Sequence, residues 1–301
     1  MSAIEEIQAV IAGAAERIGP SVVGLGRGWH GGSGVVIGDD LVLTAAHNLR
    51  RDEVTLTFAD GRRAASETVA VDAHRDLAVL SAETQDLPAV PPAPDQAPSV
   101  GAPVVALANP GGRGLRVTFG FVSAANRSFR GGPGRRVTGC IEHTAPLPRG
   151  SSGSPIVDPE GRLLGLNAVR LEGGLIVAVP AEPKQVEALT RGESVRPPRL
   201  GVAVAPTYVG RRLRRAVGLP ERDGVLVRSV EADSAAARAG IEQGDLIVAA
   251  AGQPVDGIDA LFGALDRVKE EGTLELTVVR GTEERNLTAQ FETPDREEAN
   301  R

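Results

Sequence analysis

The sequence predicts a mainly β protein in two domains: first a barrel or sandwich of short strands, then a smaller mixture of strands and helices. Three observations carry this. From Ser21 to about Pro180 the chain runs in short apolar stretches separated by turn residues, with no long helical pattern between them. It holds 37 Gly and 21 Pro but only 3% aromatics, so turns are frequent and the core must be built from Val, Leu, Ile and Ala. After the polar, Pro-containing stretch Thr190 to Arg199 the pattern changes, and strand-like runs alternate with helix-like ones.

In chain order, Ile4, Ile7, Val10, Ile11, Ala14 and Ile18 recur at helical spacing and predict an amphipathic helix over 3–18, within an N-terminal segment 1–20. Residues 21–190 form the first domain. Gly34–Gly38, Leu41–Thr44, Val54–Phe58, Leu77–Leu80, Val104–Leu107, Ile156–Val157, Leu163–Leu166 and Leu175–Val179 read as its strands. Asp39 and Asp40 mark a tight turn between two of them. Pro88, Pro91, Pro92, Pro94 and Pro98 leave a stretch too poor in donors for a central strand, so it reads as a surface connection between two halves of the domain. Glu182–Leu189 reads as a short helix and 191–199 as a linker. In the second domain, 200–292, strands are predicted at 200–205, 224–230, 245–250 and 273–280. Helices are predicted at 234–239 and 258–270, the latter with residues 258, 261, 262, 265 and 268 on one apolar face. The charged tail 293–301 reads as disordered.

The net charge of −6 gives no reason to expect nucleic-acid binding. Arg211, Arg212, Arg214 and Arg215 read as a solvated face. The single cysteine, Cys140, excludes an intramolecular disulfide, and its strand context reads as a buried, inert thiol. No apolar run reaches the ~18 residues of a membrane helix. The N-terminus carries Glu5 and Glu6 where a signal peptide has basic residues and then an apolar stretch. As it stands the chain therefore reads as cytoplasmic; a removed leader would place it in the envelope or periplasm.

Three motifs follow one another along the first domain: Leu43-Thr44-Ala45-Ala46-His47, His74-Arg75-Asp76-Leu77-Ala78-Val79-Leu80, and Gly150-Ser151-Ser152-Gly153-Ser154-Pro155. A serine hydroxyl is a poor nucleophile unless a base takes its proton. Imidazole suits that task near neutral pH. A carboxylate on its other nitrogen fixes the tautomer and stabilises the imidazolium. Glycines beside the serine let backbone N–H groups face a developing oxyanion. Taken singly, each motif has a bland structural reading; the three together, in the order His, Asp, Ser, point to nucleophilic acyl transfer. An α/β-hydrolase esterase is excluded, because its G-x-S-x-G elbow needs Gly at 154 and a histidine late in the chain, and none follows His143. His30, His74 and His143 lack such context and read as surface or satisfied core histidines, with no metal set and no cofactor implied.

These motifs resemble those of the HtrA/DegP family of trypsin-like serine proteases. In the second domain, Ser234-Ala235-Ala236-Ala237-Arg238-Ala239-Gly240-Ile241-Glu242-Gln243-Gly244-Asp245-Leu246-Ile247 with Gly252-Gln253-Pro254-Val255 resembles the core of a PDZ domain. The likeness covers roughly residues 5–290. It implies a chymotrypsin-like double β-barrel protease domain followed by a smaller α+β PDZ domain. It further implies His47 as general base, Asp76 as its orienter, Ser152 as nucleophile and an oxyanion hole from Gly150 and Ser152. Pro146 would form the pocket base, opposed by Ala168, Val169 and Arg170 and by Leu175–Ala178. No acidic residue lies between Thr144 and Gly150, which predicts cleavage after small or medium apolar residues. The PDZ domain would bind C-terminal or apolar peptides through Leu200, Gly201 and Val202, facing a helix with Leu261, Leu265 and Val268; the three helix residues could equally be core. Unfolded polypeptides are the implied substrates, protein quality control the implied role, and a homotrimer through the N-terminal region the implied assembly. The chain departs from the family at Thr144, Arg149, Ser151 and Ser154, where Asp, Pro, Asn and Gly are usual. A Cβ at 154 restricts how the loop turns, which leaves open whether the loop rests in a competent geometry or needs activation. A chaperone-like scaffold with weak proteolysis is the competing reading.

Overall fold

The structure, a computed structural model, describes residues 2–26, 31–49, 54–94, 97–130, 136–194, 199–265, 267–268 and 272–291. His30, the tail 293–301 and residues 195–198 of the expected linker lie outside these. The chain divides into two compact units between residues 195 and 196.

The first unit opens with α1 (Ala3–Ile18). Ser2 accepts from the Glu5 N–H while the Glu5 carboxylate accepts from the Ser2 N–H, so two otherwise orphaned donors are satisfied. Ala14 and Ile18 are buried, whereas Ile4 and Ile7 remain exposed. Six strands follow: β1 (Val22–Leu25), β2 (Gly32–Gly38), β3 (Leu41–Ala45), β4 (Val54–Thr57), β5 (Arg63–Asp72) and β6 (Leu77–Ser81). They close into an antiparallel barrel in the order β1-β2-β3-β6-β5-β4. A second barrel is built from β7 (Pro103–Ala108), β8 (Arg116–Arg130), β9 (Arg136–His143), β10 (Pro155–Val157), β11 (Leu163–Arg170) and β12 (Ile176–Pro180), in the order β10-β11-β12-β9-β8-β7. This is the double barrel that the resemblance implied.

The strands read as continuous apolar runs because both their faces are covered. Leu77, Ala78, Val79 and Leu80 are all buried, as are Val104 through Ala108. One side of most strands fills its own barrel; the other joins a cluster common to both barrels, with Val22, Leu43 and Leu77 from the first and Val105, Leu107 and Leu166 from the second. Burying one such Leu contributes about 1.5–3 kcal/mol. Leu189 at the end of α2 (Pro183–Thr190) seals the same cluster.

The proline-rich connection does cross between the barrels, but it is not merely superficial. The Val90 N–H donates to Val36 O (2.9 Å), and Pro91 O and the Ala93 N–H bracket Leu163 (2.7 and 2.9 Å). Val90 and Ala93 are buried. The non-proline residues between the prolines supply the donors that the prolines lack.

The second unit is a sheet of β13 (Val202–Ala205), β14 (Val225–Val230), β15 (Leu246–Ala250), β17 (Thr273–Arg280) and β18 (Glu283–Gln290) in the order β13-β14-β15-β17-β18, with β16 (Gln253–Pro254) paired to β15. Its helices are α3 (Thr207–Ala216), α4 (Ala235–Arg238) and α5 (Ile258–Leu265). The arginine cluster is not wholly a solvated face. It lies on α3, and Arg214 is buried there, donating to Pro220 O and Gly281 O (3.0 and 3.3 Å). Arg211 and Arg215 pair with Asp223 and Glu221. The helix is illegible in the sequence because the residues it buries most deeply are Gly210 and Arg214 rather than large apolar ones. Among the described residues α5 runs over Ile258–Leu265, and the Val268 N–H closes a turn onto Leu265 O; residues 266, 269 and 270 of the expected helix lie outside the described residues.

Candidate active site

The pairing of Ala45 with Leu77 across β3 and β6 brings the residues just beyond these strand ends together. There His47 sits in a single helical turn, Ala46–Asn48, and Asp76 immediately precedes β6. Asp76 is buried and adopts a left-handed conformation (φ +56°), a cost of order 1 kcal/mol for an Asp. Two bonds hold it so: the Ala46 N–H donates to its carbonyl (3.0 Å) and the His47 N–H to its carboxylate Oδ1 (2.9 Å). Its other oxygen, Oδ2, lies 2.6 Å from His47 Nδ1. That contact fixes the proton on Nδ1 and leaves Nε2 as the acceptor.

Nε2 lies 2.7 Å from Ser152 Oγ. Ser152 belongs to the loop before β10, and the first barrel grips that loop. The Ser33 N–H and Asn48 Nδ2 both donate to Ser152 O (2.8 and 2.9 Å), and Ser33 Oγ donates to Gly150 O (3.2 Å). Gly153 is obligatory here. It has φ +82°, and a Cβ would fall 2.3 Å from Ser33 O and 2.4 Å from Thr44 Oγ1. Position 154 makes no such demand. Ser154 lacks a positive φ, is fully buried, and its hydroxyl accepts from Asn167 Nδ2 (2.9 Å). Ser151 Oγ caps Pro148 O (2.8 Å). The substituted serines are therefore hydrogen-bonded parts of a closed turn.

Ser152 Oγ is also 2.8 Å from Ala168 O. One hydroxyl proton cannot serve both contacts. With neutral His47 it points to Nε2; once His47 is protonated it can turn to Ala168 O. Among the described residues, no acceptor takes the N–H of Gly150 or of Ser152. Beside Ser152 opens a cavity of about 360 Å³, lined by Leu147, Ala168, Val169 and Ile176, by the loop 148–152, by Asn167 and by Arg170. Pro146, expected at its base, does not line it. Ala145 and Leu147 turn inward into the barrel while Pro146 faces solvent, and Leu147 takes its place.

Residues 32–166 match the model of the trypsin-like peptidase domain and residues 198–291 that of the PDZ domain. A Halomonas elongata protein named "Probable periplasmic serine endoprotease DegP-like" is 32% identical over 266 residues, which are 85% of this chain and 55% of that one. The Synechocystis protein named "Putative serine protease HhoA" is 32% identical over 275 residues, 86% of this chain and 70% of that one. The chain belongs to the HtrA/DegP family. It spans about half the length of most of the curated relatives it matches. Solved structures of the family agree. The HtrA-type protease AlgW with a decapeptide superposes with TM-score 0.61 at 26% identity, covering 93% of this chain and 97% of that one. The serine endoprotease from Yersinia pestis gives 0.59 at 25% identity, covering 94% and 97%.

In this HtrA/DegP-family chain the polar residues that sequence reasoning passed over are those behind the loop. Asn109 donates its N–H to Ser33 Oγ (3.2 Å), accepts from the Gly114 N–H (3.0 Å) and donates to Thr57 O (3.3 Å), tying both barrels to the residue that holds Gly150. Asn167 bonds Ser154 on one side and His143 Nε2 on the other (2.7 Å). Nothing in the local sequence of Asn167 signals this role. His143 is buried and only half satisfied, since its Nδ1 has no partner among the described residues; burial lowers its pKa, against the smaller opposing effect of the Asn167 hydrogen bond. His74 is half-buried, its N–H capped by Asp72 (2.9 Å). Cys140 is buried and its thiol is pushed up to about 11, first by burial and then by the charge of Asp76, so it is inert as a nucleophile.

In the PDZ unit, Leu200, Leu261 and Leu265, expected to line a peptide groove, are only 3%, 3% and 5% exposed and pack in the core. Gly201 and Leu200 are stitched through their carbonyls to the Glu231 and Ala236 N–H groups (both 2.8 Å). Gly201 has φ +78° and approaches Ser234 so closely that a Cβ would lie 2.2 Å from the Ser234 Cβ. Val202 is half-buried against the same core. Among the described residues β13 pairs with β14 alone, and no strand lies on its second edge.

Proposed function

We propose that this chain is a serine endopeptidase in which His47, Asp76 and Ser152 form the catalytic triad. The observation that carries the reading is the unbroken hydrogen-bond line Asp76 Oδ2–His47–Ser152 Oγ, with contacts of 2.6 and 2.7 Å. The serine attacks the scissile carbonyl as His47 Nε2 takes its proton. The N–H groups of Gly150 and Ser152 receive the oxyanion, each such donor being worth about 3 kcal/mol in the transition state. His47 then protonates the leaving amine, and water, deprotonated in turn by His47, hydrolyses the acyl-enzyme. The apolar walls from Leu147, Ala168, Val169 and Ile176 take a small or medium apolar side chain.

Substrates on this reading are unfolded or misfolded polypeptides. The PDZ domain engages C-terminal or apolar segments along the open edge of β13, near Gly201 and Val202, as an added strand. The exposed Ile4 and Ile7 on α1 suit a homotrimer formed through the N-terminal region. The DegP-like relatives named periplasmic favour the envelope over the cytoplasm as its site of action.

Incubation of the protein and its Ser152→Ala variant with β-casein, with fragments read by mass spectrometry, tests this reading. Cleavage by the wild type alone, after apolar residues, supports both triad and pocket. Cleavage after Lys or Arg keeps the triad and overturns the pocket assignment. No cleavage by either protein, even with apolar C-terminal peptides added, favours the scaffold reading.

A further inference from the structure

The cavity beside Ser152 has an apolar wall but a charged rim. Arg149, directly before Gly150, and Arg170, two residues beyond Ala168, both line it, and both are exposed. Among the described residues, no Asp or Glu lines the cavity. Most other arginines described in this unit, such as Arg75, Arg127, Arg162 and Arg191, have a carboxylate partner. Among the described residues, neither the Arg149 nor the Arg170 guanidinium has an ion-pair or hydrogen-bond partner. A guanidinium stays charged at any pH the protein meets, so the mouth of the pocket carries two uncompensated positive charges within a few residues of the nucleophile.

We infer that Arg149 and Arg170 select polypeptide substrates bearing a carboxylate side chain next to the residue that enters the pocket. The inference rests on the protease reading above. Because both guanidiniums are exposed at the rim and the inner wall is apolar, the carboxylate that meets them belongs to a flanking residue, while the apolar side chain fills the cavity. The planar, five-donor guanidinium suits such a carboxylate. Among the described residues, no acidic side chain lines the rim to compete for it.

The test uses two matched peptides with the same apolar residue at the cleaved bond and either Glu or Gln on both sides of it. Cleavage is measured with the wild type, Arg149→Gln, Arg170→Gln and the double variant. For the wild type at low salt, kcat/KM is higher for the Glu peptide by about two- to five-fold per arginine engaged, the size expected of exposed ion pairs, and the preference shrinks as salt is added. In the double variant the Glu-to-Gln ratio falls to about one. A wild-type ratio near one, or a preference that survives in the double variant, overturns the inference. Absence of Ser152-dependent cleavage of either peptide overturns the protease reading, and this inference with it.

Discussion

The two units use their buried polar groups differently. In the protease unit Ser33, Thr44, Asn109 and Asn167 are buried and converge on the loop that carries Ser152. Their bonds take the loop's carbonyls and side chains but leave the Gly150 and Ser152 N–H groups with no acceptor among the described residues. In the second unit the most deeply buried polar group among the described residues is Asp245, whose carboxylate is consumed. Arg280 meets both its oxygens through Nε and Nη2 (2.8 Å each), and the Glu242 N–H donates to Oδ2 (2.9 Å). The first arrangement holds a site open; the second ties β17 to the turn before β15. A buried network points to chemistry when it leaves groups over, and to stability when it does not.

The largest expected effect separates activity from fold in the first unit. Asp76→Asn keeps a hydrogen-bonding side chain at the site but favours the wrong imidazole tautomer. The turnover of an apolar peptide should drop roughly ten-thousand-fold with little change in the thermal midpoint. An equal loss of stability and activity would place Asp76 among the structural polar groups instead.

The second unit should respond in the opposite way. Arg280→Met leaves Asp245 buried and unpaired, at a cost of about 3–5 kcal/mol, read as lost hydrogen-exchange protection in β15 and β17. The same pair predicts a pH dependence. Burial alone would raise the Asp245 carboxyl, but the hydrogen bond from Arg280, that from the Glu242 N–H, and the arginine charges hold it below its ordinary value. Its stabilisation is thus complete above the unfolded Asp value of about 4 and is lost as the pH falls through the lower folded one. Denaturation of the full chain between pH 7 and 3 should show this loss in the second unit, and Asp245→Asn should remove that part of the pH dependence.

The smallest effect sharpens the division between core and groove. Leu265→Ala should destabilise the second unit by about 2–5 kcal/mol, as a core Leu does, in urea denaturation. A near-neutral change in stability accompanied by weakened peptide binding would return Leu265 to the groove.

The same contrast governs how much the sequence made legible. The triad residues could be read because each is polar and stands beside an apolar strand that cannot use it. The apolar runs marked most barrel strands for the same reason, since covered faces admit only such residues. Leu261 and Leu265 could not be assigned between core and groove, because an apolar side chain looks the same in either place. β5 and β18 were missed because their exposed positions are polar and break the apolar run; α3 was missed because the residues it buries most deeply are a glycine and an arginine. Pro146 was one position off, since strand-like alternation beyond His143 decides which side chain turns inward.

The central claim is that His47 activates the Ser152 hydroxyl. The most direct measurement is the rate and position of labelling by a fluorophosphonate in the wild type and in His47→Ala, followed by intact mass and peptide mapping. One label per chain on Ser152, nearly abolished by His47→Ala, is the predicted result. No labelling, labelling elsewhere, or labelling of Ser152 at the same rate without His47 would contradict it.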